Sequence, residues 1–398
     1  MKSGNLLILQ SGIPSVVGNS VLHGMLSEAL NYENIEEIYG VFNGFEGITK
    51  EHFIDLASLP QKKAQLLLTT NGYALKNETR SFQGTSEDFD KSIEVLAQYE
   101  IKYMGVICDQ ASLEYVNRLS LAARQKQYDL QIIAVPHSNY NELPITDHSL
   151  GYGSYLKFLN AYLTSFENFL QNKPVHVGIC EIDGGNNGWI VAGASLTYSS
   201  CNHKIIDEDE MPYIVCLPEQ PFNKSTFLAL VKNKLSKHSH ITVITHAQLV
   251  DEEGVTLDLG TFNSTGQYLN HLIQSELNVS SCLNICSIAQ QPLSHFISKT
   301  DQNEAIACGR ATLQQLIDEG ESDKAAVLIR KENDVGSCEV SFLPIDEMIN
   351  GLKFLPTDWI CEKTMTINYA LTKYALPLIQ GEIVVPFEKG IPELIQLS

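Results

Sequence analysis

The sequence predicts an α/β protein built as two domains with parallel sheets. Short apolar, β-branched runs alternate with stretches of helical periodicity along the chain, and such alternation builds parallel sheets joined by helical crossovers. At 398 residues the chain exceeds what one hydrophobic core usually holds. Its 44% apolar and 19% charged residues are those of an ordinary globular protein.

The strands follow in order. Leu6–Leu9, Glu37–Val41, Tyr103–Ile107, Gln131–Val135, Val175–Cys180, Tyr213–Leu217, Ile241–Thr245 and Ala325–Arg330 are short runs rich in Val, Ile and Leu, the signature of buried parallel strands. Between them lie helical stretches. After Gly153, residues Tyr155, Phe158, Leu159, Tyr162, Leu163, Phe166 and Leu170 recur at helical spacing and form one apolar face. Further helices are expected over Ser225–Lys237 and Asn303–Glu319, the latter ending near Gly320. The longest acidic run, Asp207–Glu210, reads as a solvated loop.

Composition narrows the function. No apolar run approaches the ~20 residues that span a bilayer. The opening Asn5-Leu6-Leu7-Ile8-Leu9 reads as a first core strand, too short for a signal peptide. Nine scattered cysteines without paired spacing point to reduced thiols and a cytoplasmic protein. A formal charge of −20 argues against nucleic acid and anionic membrane as partners. Only five arginines occur, Arg80, Arg118, Arg124, Arg310 and Arg330, few for a protein that grips phosphate groups. His238, His240 and His246, and the Cys282/Cys286 pair, lack zinc-site spacing and read as surface histidines and core thiols.

The most informative stretch is Val135–Ser154, V-P-H-S-N-Y-N-E-L-P-I-T-D-H-S-L-G-Y-G-S. It runs from a strand end into an amphipathic helix, where α/β enzymes place their chemistry. It resembles the active-site segment of the phosphofructokinase family, which in pyrophosphate-using members reads P-K-T-I-D-N-D-L-P-x-T-D-H-x-x-G-Y-G-S. Other segments resemble the same family in order. They are Gln10–Asn19, Tyr39–Gly47, Glu181–Trp189, Leu217–Asn223, Ser294-His295 with Ser298–Asp301, Gly320–Ser322 and Leu376–Glu382.

The resemblance implies two Rossmann-like domains with the cleft between them. One would comprise residues 1–150 plus about 288–355 on the phosphoryl-donor side. The other would comprise 151–287 plus about 356–398 on the sugar-phosphate side. It further implies 6-phosphofructokinase activity in glycolysis, with pyrophosphate or ATP as donor, magnesium if active, and a dimer or tetramer. By the same resemblance Gly12, Arg80 and Ser112 are donor-side residues, and Glu219, Gly184 and His295 face the sugar phosphate.

The positions that carry chemistry depart from this pattern. His137 stands for the lysine, Tyr140 for the aspartate that acts as base, and Glu142 for the second aspartate, while Asn141 is kept. A phenol with a reference pKa of about 10 is a poor general base at neutral pH. Ile13 replaces a cradle glycine, and Cys108-Asp109-Gln110-Ala111 replaces G-G-D/N-D/G, which removes the metal-binding carboxylate. Gly185 replaces an arginine, and Gln290-Gln291 stands for Q-R. No arginine occurs between Lys237 and Gly309. In-line phosphoryl transfer needs cradle, metal, base and cations together, so the sequence points to a catalytically impaired or inactive homologue. Such a chain would act as an oligomeric regulatory or interaction subunit, alone or with an active paralogue. An active 6-phosphofructokinase and a sugar-sensing module are the alternatives.

Overall fold

The computed structural model describes residues 3–77, 84–200, 210–286, 293–331 and 338–397. In chain order the principal strands are β1 (Gly4–Ser11), β2 (Ile35–Val41), β3 (Phe53–Asp55), β4 (Ile101–Cys108) and β5 (Gln131–Pro136). They continue with β6 (Val177–Ile182), β7 (Tyr213–Cys216), β8 (Ile241–His246), β9 (Ser281–Cys286), β10 (Lys324–Arg330) and β11 (Cys338–Pro344).

The chain forms two α/β units. Unit 1 comprises Met1–Ser154, Gln291–Lys353 and Gln380–Ser398; unit 2 comprises Tyr155–Gln290 and Phe354–Ile379. The 356–398 segment expected in the second domain therefore divides, and its last part belongs to unit 1. The reason is burial and hydrogen bonding. Ile395 and Leu397 enter the unit 1 core, Ile395 N donates to Thr70 Oγ1 at 2.8 Å, and Lys299 N donates to the Gly381 carbonyl at 3.1 Å.

In unit 1 a seven-stranded sheet runs β11-β10-β5-β4-β1-β2-β3. The pairs from β10 to β2 are parallel, while β11 and β3 join antiparallel at the edges. Leu6 and Ile8 enter one core cluster while Leu7 and Leu9 enter the other. Both faces of β1 are thus covered, which explains its continuous apolar run. The Gly18–Ala29 and Lys299–Ile317 helices pack closely through glycines. A Cβ on Gly24 would lie 2.3 Å from the Ile306 carbonyl, and one on Gly309 would lie 2.3 Å from that of Val21.

Unit 2 holds a four-stranded parallel sheet, β7-β8-β6-β9. Its core gathers Val177, Ile179, Ile214, Phe227, Val243 and Ile273. On the Tyr152–Gln171 helix the expected apolar positions Tyr155, Leu159, Leu163, Phe166 and Leu170 are buried. Phe158 and Tyr162 are half-buried and stack on each other at 6.2 Å. The eight expected strands are present with small shifts at their ends, as are the Lys224–Leu235 and Lys299–Ile317 helices. No helix among the described residues is long and apolar enough to cross a membrane.

Candidate functional site

The strand order of unit 1 creates a crevice. From β1 the chain proceeds to β2 on one side, while β4 and β5 lie on the other. The carboxyl ends of β1 and β4 therefore flank the switch point at which open parallel sheets bind ligands. β1 ends at Ser11 and is followed by Gly12 in the left-handed region, φ 82°. β4 ends at Cys108 and is followed by Asp109.

The loop amides at this crevice are engaged by the protein's own side chains. Asp109 Oδ2 accepts from Ile13 N at 2.8 Å, and Oδ1 accepts from Ser112 N at 2.9 Å. Gly12 N donates to Asn77 Oδ1 at 3.0 Å, and Asn77 Nδ2 donates to the Gly12 carbonyl at 2.7 Å. Ser11 Oγ donates to Ser112 Oγ at 3.0 Å. Gly12 and Ser112, expected on the donor side, thus meet on one pair of loops, while Arg80, expected with them, lies outside the described residues. The Ile13 side chain points to solvent, 61% exposed, so its branched carbons do not fill the crevice. Its amide is taken instead.

His137 follows β5 and is buried. Its Nε2 lies 2.5 Å from the Tyr73 hydroxyl, which also donates to the Ser11 carbonyl at 3.0 Å. Burial lowers the pKa of His137 to about 4, against the opposing pull of Asp109. At neutral pH this ring is uncharged, so it does not replace the charge of a lysine.

The loop after His137 is held by local bonds. Ser138 Oγ accepts from Tyr140 N at 3.1 Å and donates to Glu142 Oε1 at 3.2 Å. Asn141 is fully buried, adopts φ 58°, and accepts from Ser149 N at 2.9 Å. A short polar side chain is among the few that tolerate this backbone. Tyr140 is half-buried.

The best-kept part of the motif anchors a buried ionic network. Arg330 grips Asp147 through Nε at 3.0 Å and Nη2 at 2.9 Å. His148 bridges Asp147 at 2.9 Å and Glu304 at 2.8 Å. Burial alone would lower the pKa of His148, but Asp147, Cys338 and Glu304 raise it well above the usual range. Lys353 Nζ donates to the Asp147 carbonyl, and burial pulls its pKa down to about 8. Asp301, itself buried, accepts from Gly151 N at 2.9 Å and from Ser154 N at 3.0 Å.

In unit 2, Glu219 and Gly184 belong to one loop system. Glu219 Oε1 accepts from Gly188 N at 2.7 Å. Its Oε2 is buried with no hydrogen-bond partner among the described residues. Burial raises the Glu219 pKa against its backbone hydrogen bonds. A Cβ on Gly184 would lie 2.5 Å from the ring of His246, which is 1% exposed rather than at the surface. Gly185 N donates to Asp183 Oδ1 at 3.2 Å. His295 belongs to unit 1, where it is exposed and lies 5.1 Å from the Phe387 ring. Gln290 and Gln291 lie outside the described residues.

The family model described as Phosphofructokinase matches residues 5–315. The chain belongs to the phosphofructokinase family. It is 26% identical over 416 residues to the pyrophosphate–fructose 6-phosphate 1-phosphotransferase of Halomonas elongata, across all of this chain and 97% of that protein. The pyrophosphate-dependent phosphofructokinase structure from Nitrosospira multiformis superimposes with a TM-score of 0.88 at 25% identity. That match covers 99% of this chain and 96% of the other. The corresponding Marinobacter aquaeolei structure, with a TM-score of 0.86 at 24% identity and covering 100% and 96%, shows the shared fold.

Within this phosphofructokinase-family frame, the described residues at positions 109–111 do not fit a magnesium ion. Gln110, where a carboxylate was sought, donates through Nε2 to the Gly351 carbonyl at 2.8 Å. Ala111 offers no ligand, and both oxygens of Asp109 are engaged by amides. The Asp147, His148 and Cys338 cluster is of mixed type and already carries Arg330, whereas magnesium selects oxygen ligands. The four described arginines all have partners within the chain. Arg118 lies over the Phe89 ring at 4.8 Å, Arg124 pairs with Asp323, Arg310 reaches Ser27 Oγ at 3.5 Å, and Arg330 holds Asp147.

Sequence reasoning did not find Tyr73, Asn77, Glu304 or Lys353. They lie far along the chain from the residues they touch, and nothing in their local pattern marks them. Asp301 was visible within Ser298–Asp301, but not as the acceptor for the Gly151 and Ser154 amides.

Proposed function

We propose that this phosphofructokinase-family protein lacks competent phosphoryl transfer and serves as a regulatory or interaction subunit. It would do so in a cytoplasmic oligomer, either a homodimer or homotetramer or an assembly with an active paralogue. The observation that carries this reading is His137. At the family's lysine position stands a buried, neutral imidazole bonded to Tyr73. Beside it Tyr140 occupies the position of the general base.

Losing a general base costs roughly 10²–10⁴ in rate, and losing one charge-stabilising donor costs roughly 10²–10³. These losses are not additive, yet each acts on a different requirement of the same transfer. A sugar phosphate remains a candidate ligand because Glu219 keeps its place with one carboxylate oxygen unpartnered among the described residues. This same oxygen supports the sensor alternative, in which a neutral sugar is bound without chemistry. The active-enzyme alternative is favoured by the full-length likeness to a pyrophosphate–fructose 6-phosphate 1-phosphotransferase.

A thermal-shift screen with fructose 6-phosphate, pyrophosphate, nucleotides and neutral sugars separates these readings. No shift supports the subunit role. A shift with neutral sugar alone supports the sensor. A pyrophosphate shift accompanied by turnover of fructose 6-phosphate overturns the proposal.

A further inference from the structure

One carboxylate joins the two loops that flank the switch-point crevice of unit 1. Amides at the carboxyl end of a parallel sheet form the usual seat for an anion. The amides of Ile13, after β1, and Ser112, after β4, are both donated to Asp109. Each carboxylate oxygen serves one loop, at 2.8 Å and 2.9 Å, within the range of charge-assisted hydrogen bonds. The carboxylate also packs against the backbone of Gly12. A Cβ there would lie 2.1 Å from Asp109 Oδ1. Ser112 precedes the Leu113–Gln125 helix, so the carboxylate offsets that helix's positive end as well.

We infer that Asp109 is a built-in plug, an intramolecular anion that fills this seat, closes the crevice to inorganic pyrophosphate, and masks a latent anion site. An external anion must displace a tethered competitor of high effective concentration and face its like charge. This inference rests on the loop geometry of unit 1 and goes beyond the proposed loss of base and cation.

The test is isothermal titration of the full chain with inorganic pyrophosphate, for the wild type, Asp109→Ala and Asp109→Asn, with melting curves to establish folding. Asp109→Ala is expected to bind pyrophosphate at least about tenfold more tightly than the wild type. Asp109→Asn, which keeps one acceptor oxygen but loses the charge, is expected to fall between them. Equal affinity in the wild type and Asp109→Ala, whether measurable or absent, overturns the plug. If Asp109→Ala does not fold, the near-isosteric Asp109→Asn decides alone: tighter binding supports the plug and unchanged binding overturns it. Turnover with fructose 6-phosphate is measured alongside. Wild-type turnover contradicts the proposed function, whereas failure to gain binding contradicts only the plug.

Discussion

Acidification tests whether His137 is a buried neutral ring or a hidden cation. Its pKa falls from 6.5 to about 4 on folding, chiefly through burial. Between those values the unfolded chain binds the proton and the folded chain does not. The stability contributed by the neutral ring is therefore complete above pH 6.5, is lost as pH falls toward 4, and declines no further below that. At about 1.4 kcal/mol per pKa unit the whole loss is about 3 kcal/mol, of which about 2 kcal/mol falls between pH 7 and pH 5. Urea unfolding of the wild type and His137→Gln at both pH values isolates the effect. Other groups, including His148 and its carboxylates, are common to both proteins and cancel in the difference. The wild type is expected to lose about 2 kcal/mol more than the variant. Equal acid losses, or an NMR titration of the His137 ring near 6.5 or above, would refute the reasoning and restore a cation to this position.

Three further outcomes follow from packing and hydrogen bonding. Asp301→Ala leaves the Gly151 and Ser154 amides and the Ser154 hydroxyl without their acceptor. It is expected to destabilise by about 2–5 kcal/mol in urea titrations, and a loss under about 1 kcal/mol contradicts that role. Gly309→Val forces side-chain carbons against the Val21 carbonyl, 2.3 Å from the ideal Cβ position, and is expected to cost more than about 2 kcal/mol; an unchanged melting temperature contradicts this. If thermal-shift screening finds a neutral-sugar ligand, Glu219→Gln is expected to weaken it about tenfold or more, given about 1.5–3 kcal/mol for a hydrogen bond to a charged group. An unaltered shift removes Glu219 from the sugar subsite.

The sequence revealed the scaffold more fully than the chemistry. Strands buried on both faces, such as β1 and β4, announce themselves as apolar runs. β9 escaped because Ser281 and Asn284 interrupt a half-buried strand, and β11 because it is a partly exposed antiparallel edge. The substitutions at 137 and 140 were legible as departures from a family pattern. Their replacement bonds were not. Tyr73 meets His137 across 64 residues, and the use of both Asp109 oxygens depends on how two distant loops approach. Folding of Gln380–Ser398 onto unit 1 likewise depends on long-range contacts with Thr70 and Lys299, which no local periodicity encodes.

The chain is proposed to lack competent phosphoryl transfer. The most direct test is a coupled assay of the purified chain with fructose 6-phosphate, magnesium and either pyrophosphate or ATP, with and without a complete paralogue. No turnover is expected from this chain alone with either donor. Turnover that Tyr140→Phe abolishes would contradict this.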